Sequence, residues 1–79
     1  MLIKIEISEV LHPLVPGSGK NLFGDLWDLN EDTHTENVLE ILGLSNIPTM
    51  VILNKGLVLE KTFLKVGDSL KIFPMVSGG

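Results

Sequence analysis

The sequence predicts a small α+β domain in which one mixed sheet of four or five strands packs on a single helix. The chain has 79 residues, which is enough for one domain. It opens on a strand pattern, carries one helix pattern near its middle, and continues in strand patterns to residue 73. Because a single helix can cover one face of such a sheet, these three observations favour a sheet-on-helix arrangement.

Two strands are predicted in the first third of the chain. Residues 2–8 alternate between apolar and polar side chains, which is typical of a half-buried strand. Residues 11–21 contain two prolines and two glycines and are predicted to form a loop. Residues 22–29 are again largely apolar, and we expect a second strand there.

The helix prediction starts from the run Thr33-His34-Thr35-Glu36, which has the spacing of a capping box. In that motif the threonine hydroxyl accepts a backbone hydrogen bond while the glutamate reaches back. Three apolar residues follow at helical spacing, and then a glycine suited to a left-handed helix end: Val38, Ile41, Leu42 and Gly43.

The remaining strands follow Pro48, where an extended chain restarts. Residues 50–53 are continuously apolar, which predicts a central strand buried on both faces. Asn54-Lys55-Gly56 is a hairpin signal, and residues 57–60 are expected to return as a strand. Gly67-Asp68 predicts another turn before an alternating last strand at 69–73, which we expect to lie centrally in the sheet.

Composition excludes several functional classes. The chain has no cysteine, so it has neither a disulfide framework nor a thiolate nucleophile. All six basic residues are lysines against ten acids, and eight of those acids fall in residues 1–40. This charge pattern disfavours nucleic-acid binding. No stretch is long enough to span a membrane and no secretory pattern is present, so we expect a cytoplasmic protein.

The printed sequence ends in Ser77-Gly78-Gly79 after an apolar run. A terminal Gly-Gly presents an α-carboxylate on a slim stem, because glycine has no Cβ and adopts backbone angles that other residues avoid. Such a carboxylate can be threaded into the active site of another protein. The alternative is a plain chain end without chemistry.

The run from Leu64 to Gly79 resembles the close of the ubiquitin-like β-grasp sulfur carriers, and is most similar to the small subunit of molybdopterin synthase. The similarity consists of a Gly-Asp turn, an alternating strand, an aromatic residue, a proline, a valine, a small residue and Gly-Gly. The resemblance extends upstream to about residue 34 and to residues 1–8, and it is poor over 9–24. Met75 stands where the molybdopterin branch commonly has a second proline.

The resemblance implies a carrier rather than an enzyme, with a β-grasp domain at 1–74 and a flexible tail at 75–79. In the family, an E1-like adenylating enzyme uses ATP to activate the carboxylate, here that of Gly79. A sulfur donor then converts it to a thiocarboxylate, which a synthase large subunit consumes. The carrier itself binds no cofactor and no metal. Gly78 and Ser77 would keep the tail slim.

The family match also implies a docking surface for the partners. Leu57 and Phe73 fall where the family builds its hydrophobic contact patch, although ordinary core packing is the alternative for both. Met75 and Val76 would line the partner's channel, because exposed apolar groups beside a chain end commonly mark an interface.

Three functions stay open from the sequence. The first is a sulfur carrier for molybdopterin or tungstopterin assembly. The second is a sulfur carrier of another branch, such as thiamin thiazole synthesis. The third is a ubiquitin-like modifier, or a pure interaction module. Gly17-Ser18-Gly19-Lys20 is similar to part of a phosphate-binding loop, but it lacks the preceding glycine and the following serine or threonine, so a turn is the better interpretation.

Overall fold

A computed structural model describes residues 1–15 and 23–75, and for residues 23–25 it describes the backbone alone. Five strands and one α-helix are present in these ranges, in an order that agrees with the predicted α+β class. The strands are β1 (Leu2–Ile7), β2 (Phe23–Asp28), β3 (Thr49–Leu53), β4 (Gly56–Val58) and β5 (Ser69–Pro74). The helix is α1 (Thr35–Ile41).

The strands form one mixed sheet in the order β2-β1-β5-β3-β4. β5 runs parallel to β1 and antiparallel to β3, while the two outer pairs are antiparallel. The prediction that the last strand lies centrally is therefore confirmed. β5 closes the sheet by inserting between β1 and β3.

The core lies between the sheet and α1. The inward side chains of β1 are the three isoleucines Ile3, Ile5 and Ile7, all at most 2% exposed, which confirms the alternation expected from the sequence. β5 contributes Leu70 and Ile72 to the same side. Burying side chains of this size stabilises a domain by about 1.5–3 kcal/mol each. The inward half of the sheet therefore supplies much of the driving force for folding.

The prediction that β3 is buried on both faces is wrong. Val51 points into the core and is buried, whereas Met50 is 38% exposed and Ile52 is half-buried. The physical reason is that a single short helix covers one face of the sheet only. The continuous apolar run of β3 therefore places one half of its side chains in the core and the other half on the open face.

The N-cap of α1 lies one residue later than predicted, and the helix begins at Thr35. His34, not Thr33, is the N-cap: its Nδ1 accepts from the Asn37 backbone N–H, and the Asn37 side chain accepts from the His34 backbone N–H. The capping box is thus closed by Asn37 rather than Glu36.

Thr33 and Thr35 are buried beside the segment 62–64. The Thr35 hydroxyl accepts from the Thr62 N–H, and the Leu64 N–H donates to the Thr33 carbonyl.

The C-terminal end of α1 is as expected. Gly43 has φ +73°, the left-handed conformation that glycine adopts without steric cost, and its N–H donates to the Glu40 carbonyl. Val38 and Leu42 are buried, but Ile41 is 58% exposed, so the apolar face of the helix is narrower than the sequence spacing predicts.

The predicted loop over residues 11–21 is in part a helix. A 3-10 helix spans Glu9–Leu14 and places Leu11 in the core, with Val15 buried directly after it. Pro13 is tolerated because a short 3-10 turn needs few backbone donors. Residues 16–22, including the glycine-rich run 17–20, lie outside the described ranges. The returning strand predicted at 57–60 is also shorter, since β4 ends at Val58.

Candidate functional site

The end of β5 is held at a fixed point of the sheet. Pro74 lies opposite Thr49 at the start of β3, and the Met75 N–H donates to the Pro48 carbonyl at 3.0 Å. β5 is paired with β1 as far as Ile72 and with β3 as far as Pro74, so its last two residues are held by β3 alone. The backbone hydrogen bond of Met75 continues this attachment to the chain that leads into β3.

The start of β5 is fixed by a side-chain network. The Asp68 carboxylate accepts from the Lys65 backbone N–H at 2.7 Å and from the Asn54 side-chain amide at 2.8 Å. The Asn54 side chain in turn accepts from the Ser69 N–H at 2.9 Å. Charge-assisted bonds of this length are stronger than neutral ones. This network ties the β3–β4 hairpin to the Gly67-Asp68 turn, which confirms both predicted turns.

The face of the sheet opposite α1 carries exposed apolar side chains. We call this the outer face. Phe73 on β5 lies opposite Met50 on β3, and Ile52 on β3 lies opposite Leu57 on β4. Leu57 is 54% exposed, while Phe73 is half-buried. These four residues form one cluster across three neighbouring strands, which we call the apolar patch.

Three lysines border the apolar patch. A groove of about 620 Å³ on the outer face is lined by Lys4, Lys55 and Lys71 together with Ile52, Phe73, Asn54 and Ser69. Of the carboxylates whose side chains the structure describes, none has an oxygen within 4.0 Å of any of these three ammonium groups. The outer face therefore combines an apolar centre with three lysines that form no close ion pair, and the exposed Glu6 lies on the same face beside Lys71, in a chain whose formal net charge is −4.

Of the predicted docking residues, Leu57 and Phe73 lie on the same face within the apolar patch, and both are too exposed to be ordinary core residues. Met75 is 53% exposed at the end of β5. Val76, Ser77, Gly78 and Gly79 lie outside the described residues.

Sequence reasoning missed Met50, Ile52 and the three lysines as members of this surface. Met50 and Ile52 were hidden in a continuous apolar run, which carries no alternation to show its outward side. Lys71 and Phe73 were recoverable from the alternation of β5, since buried Leu70 and Ile72 require their odd-numbered neighbours to face outwards. Lys4 could be found in the same way from β1. Lys55 belongs to a turn, so its position depended on the hairpin register.

The two histidines occupy separate places. His34 caps α1 and packs edge-on against Phe63 at a centroid distance of 5.5 Å, and the His12 ring hydrogen-bonds with the Ile7 carbonyl at 2.8 Å through its Nε2. Among the side chains that the structure describes, no three His, Asp or Glu residues cluster as metal ligands do. No helix in those same ranges has the length and apolar character needed to cross a membrane.

No protein-family model, no curated protein and no solved structure matches this chain.

Proposed function

We propose that this chain is a β-grasp sulfur carrier whose Gly79 carboxylate is adenylated by a partner enzyme and converted to a thiocarboxylate. The fold is consistent with this proposal: a mixed five-stranded sheet packs on one helix, with the last strand in the centre. The resemblance of residues 64–79 to the sulfur carriers supplies the assignment of the chemistry.

One observation carries the proposal. The central strand β5 ends at Pro74, directly beside the apolar patch. The next residue, Met75, is hydrogen-bonded to the Pro48 carbonyl and lies four residues before Gly79. A partner that binds the apolar patch therefore contacts this chain close to Met75, from which four residues lead to Gly79. Four residues span at most about 14 Å, which is long enough to enter a pocket and short enough to be aimed by the docking contact.

The chemistry follows from the weakness of a carboxylate as an electrophile. In the first step a Gly79 carboxylate oxygen attacks the α-phosphorus of ATP on the adenylating enzyme, and pyrophosphate leaves. In the second step hydrosulfide attacks the acyl carbon, the C–O bond to AMP breaks, AMP leaves, and loss of the sulfur-bound proton gives the thiocarboxylate. Glycine leaves the carbonyl unhindered on both faces, and the enclosed partner site holds the reactants together and excludes water.

The acceptor pathway we favour is molybdopterin assembly, with the large subunit of the synthase as second partner. This rests on the order Gly67-Asp68, Phe73-Pro74, Val76 and Gly78-Gly79 in the sequence. Met75 departs from the pattern of that branch. A carrier for thiamin thiazole synthesis is the alternative within the same chemistry, and a ubiquitin-like modifier is the alternative outside it.

ATP–pyrophosphate exchange tests the activation step. The chain is incubated with an adenylating enzyme of the sulfur-carrier family, ATP and labelled pyrophosphate, and the label entering ATP is measured. We expect exchange that depends on the chain and is lost when Gly79 is deleted. Exchange that is absent, although the same enzyme activates its own carrier, would contradict the proposal.

The choice between the molybdopterin and thiazole pathways is tested by sulfur transfer from the chain to each synthase. Thiocarboxylated chain is mixed separately with a molybdopterin synthase large subunit and with a thiazole synthase, each with its acceptor substrate. We expect sulfur to leave the chain in the first mixture only. Loss of sulfur in the second mixture only would move the assignment to thiazole synthesis while leaving the carrier chemistry intact.

A further inference from the structure

The outer face has a counterpart on the opposite side of the molecule. A groove between α1 and the β3–β4 hairpin is lined by Glu36, Leu39, Leu59 and Glu60, and a second depression continues along α1 to Glu40. Among the described residues, Lys61 is the one cation that lines either of these two depressions. We call this the acidic face.

The acidic face also exposes apolar side chains. Leu59 is 85% exposed, which makes it the most exposed large apolar side chain of the described residues. It follows directly after β4 and projects beside Glu60. The acidic face thus presents an apolar projection bordered by glutamates, whereas the outer face presents an apolar hollow, between Ile52 and Phe73, bordered by lysines.

We propose that the outer face binds the acidic face of a second copy of this chain, in a weak head-to-tail contact. The acidic face complements the outer face in both charge and apolar character. Three lysines meet three glutamates, and Leu59 of one copy enters the hollow between Ile52 and Phe73 of the next. Complementary charge of this kind selects a partner and fixes its orientation.

The two faces lie on opposite sides of the sheet, so one copy cannot satisfy both within itself. Ile52 and Phe73 point outwards, while Val51 and Val58 line the groove beside α1. A head-to-tail contact between different patches does not close on itself as a two-fold dimer does, so it produces a concentration-dependent series of oligomers. A contact between two small open surfaces is weak, with a dissociation constant of about 0.1–1 mM.

Self-association would cover Phe73 and the groove beside it, which is the surface that the proposed partners need. The regulatory consequence rests on the proposed function, because it assumes that a partner uses the apolar patch: crowded copies would hide one another from the adenylating enzyme. The contact itself does not depend on that function.

Sedimentation equilibrium of the purified full chain from about 10 µM to about 2 mM brackets this affinity range. An ionic strength of about 0.15 M screens the repulsion between two acidic molecules beyond about 8 Å and leaves close pairs largely intact. We expect the weight-average mass to rise steadily above that of the monomer. A mass that stays monomeric over the whole range would overturn the proposal.

Paired charge reversals test the orientation. Lys4→Glu/Lys55→Glu reverses the outer face, and Glu36→Lys/Glu60→Lys reverses the acidic face; all four side chains are exposed, so both variants should fold. We expect each variant alone to associate at least about tenfold more weakly than the parent chain, and an equimolar mixture to regain association. Amide NMR spectra of each variant verify that the fold is retained.

Other geometries give different results in this experiment. A symmetric contact between two outer faces would leave the acidic-face variant self-associating, and that result would contradict the head-to-tail arrangement. Leu59→Ser, which removes the projection without changing charge, supplies a second test, and association unchanged in this variant would likewise contradict it. ATP–pyrophosphate exchange with the acidic-face variant, whose apolar patch is intact, reports on the carrier function separately, so the two proposals can fail independently.

Discussion

His34 links the start of α1 to the segment that leads into β5. Its Nδ1 accepts from the Asn37 N–H, and its ring packs edge-on against Phe63. We expect His34→Ala to lower the free energy of unfolding by about 1 kcal/mol, because the cap and the aromatic contact are both lost. His34→Asn, which keeps a capping side chain, should lose less. Urea denaturation of the three proteins measures the difference, and equal losses in both variants would refute a capping role.

A substitution at Leu57 can distinguish an effect on partner docking from an effect on the stability of the fold. Its side chain is 54% exposed in the apolar patch, so Leu57→Asp should change the free energy of unfolding by less than about 0.5 kcal/mol. The same change should lower kcat/KM for carrier-dependent ATP–pyrophosphate exchange by at least about tenfold, since a charge enters an apolar contact. Val10→Asp is the matched control, because Val10 is 70% exposed on the 3-10 helix, away from the patch. Equal activity in both variants would exclude the apolar patch as the docking surface.

At the scale of elements, two turns position β5 and its neighbours, and substitutions in them should change stability in opposite directions. The β3–β4 hairpin has a two-residue turn in which Asn54 has φ +50° and Lys55 has φ +78°. Such a turn favours Asn-Gly, so Lys55→Gly should raise the free energy of unfolding by about 0.5–1 kcal/mol.

In the second turn, Gly67 has φ +88°, and a Cβ at this position would meet no atom within 4 Å. Gly67→Ala should therefore lower the free energy of unfolding by about 1 kcal/mol through backbone strain alone. Thermal unfolding of both variants checks the opposite signs.

The same elements show what the sequence could predict. Both turns, the alternation of β1 and β5 and the glycine end of α1 were readable, because each depends on local chemistry: turn residues, a period of two, or a positive φ. The prediction that β3 is buried on both faces was wrong, because a run of apolar residues does not show whether other elements cover one face of the sheet or both. The 3-10 helix was missed because Pro13 and the nearby glycines outweighed the apolar Leu11 and Val15, whose burial is decided by tertiary packing.

For the molecule as a whole, the core lies on one side of the sheet. Ile72 on β5 is 1% exposed, and Met50 on the neighbouring strand is 38% exposed on the outer face. We expect Ile72→Ala to cost about 2–5 kcal/mol and Met50→Ala less than about 1 kcal/mol. Equilibrium denaturation measures both. A large cost at Met50 would mean that the outer face is packed rather than open.

Some parts of the candidate site can be predicted from short sequence motifs, whereas others depend on how the strands assemble into the sheet. The Gly-Gly end and the Gly-Asp turn are sequence motifs, so the sequence alone is enough to name them. The grouping of Leu57 and Phe73 with Met50 and Ile52 depends on the order and register of three strands. Local sequence patterns do not reveal that order or register. The lysine border arises from β1, a turn and β5 together and is visible only once the sheet is assembled.

The central claim is that the Gly79 carboxylate carries sulfur. The most direct test is the intact mass of the chain after incubation with ATP, a sulfur-carrier adenylating enzyme and sodium sulfide. The account predicts a species heavier by the difference between one sulfur and one oxygen atom, located by fragmentation at Gly79 and absent from the Gly79 deletion. An unchanged mass, with the enzyme shown to be active on its own carrier, would contradict the account and favour a modifier or a binding module.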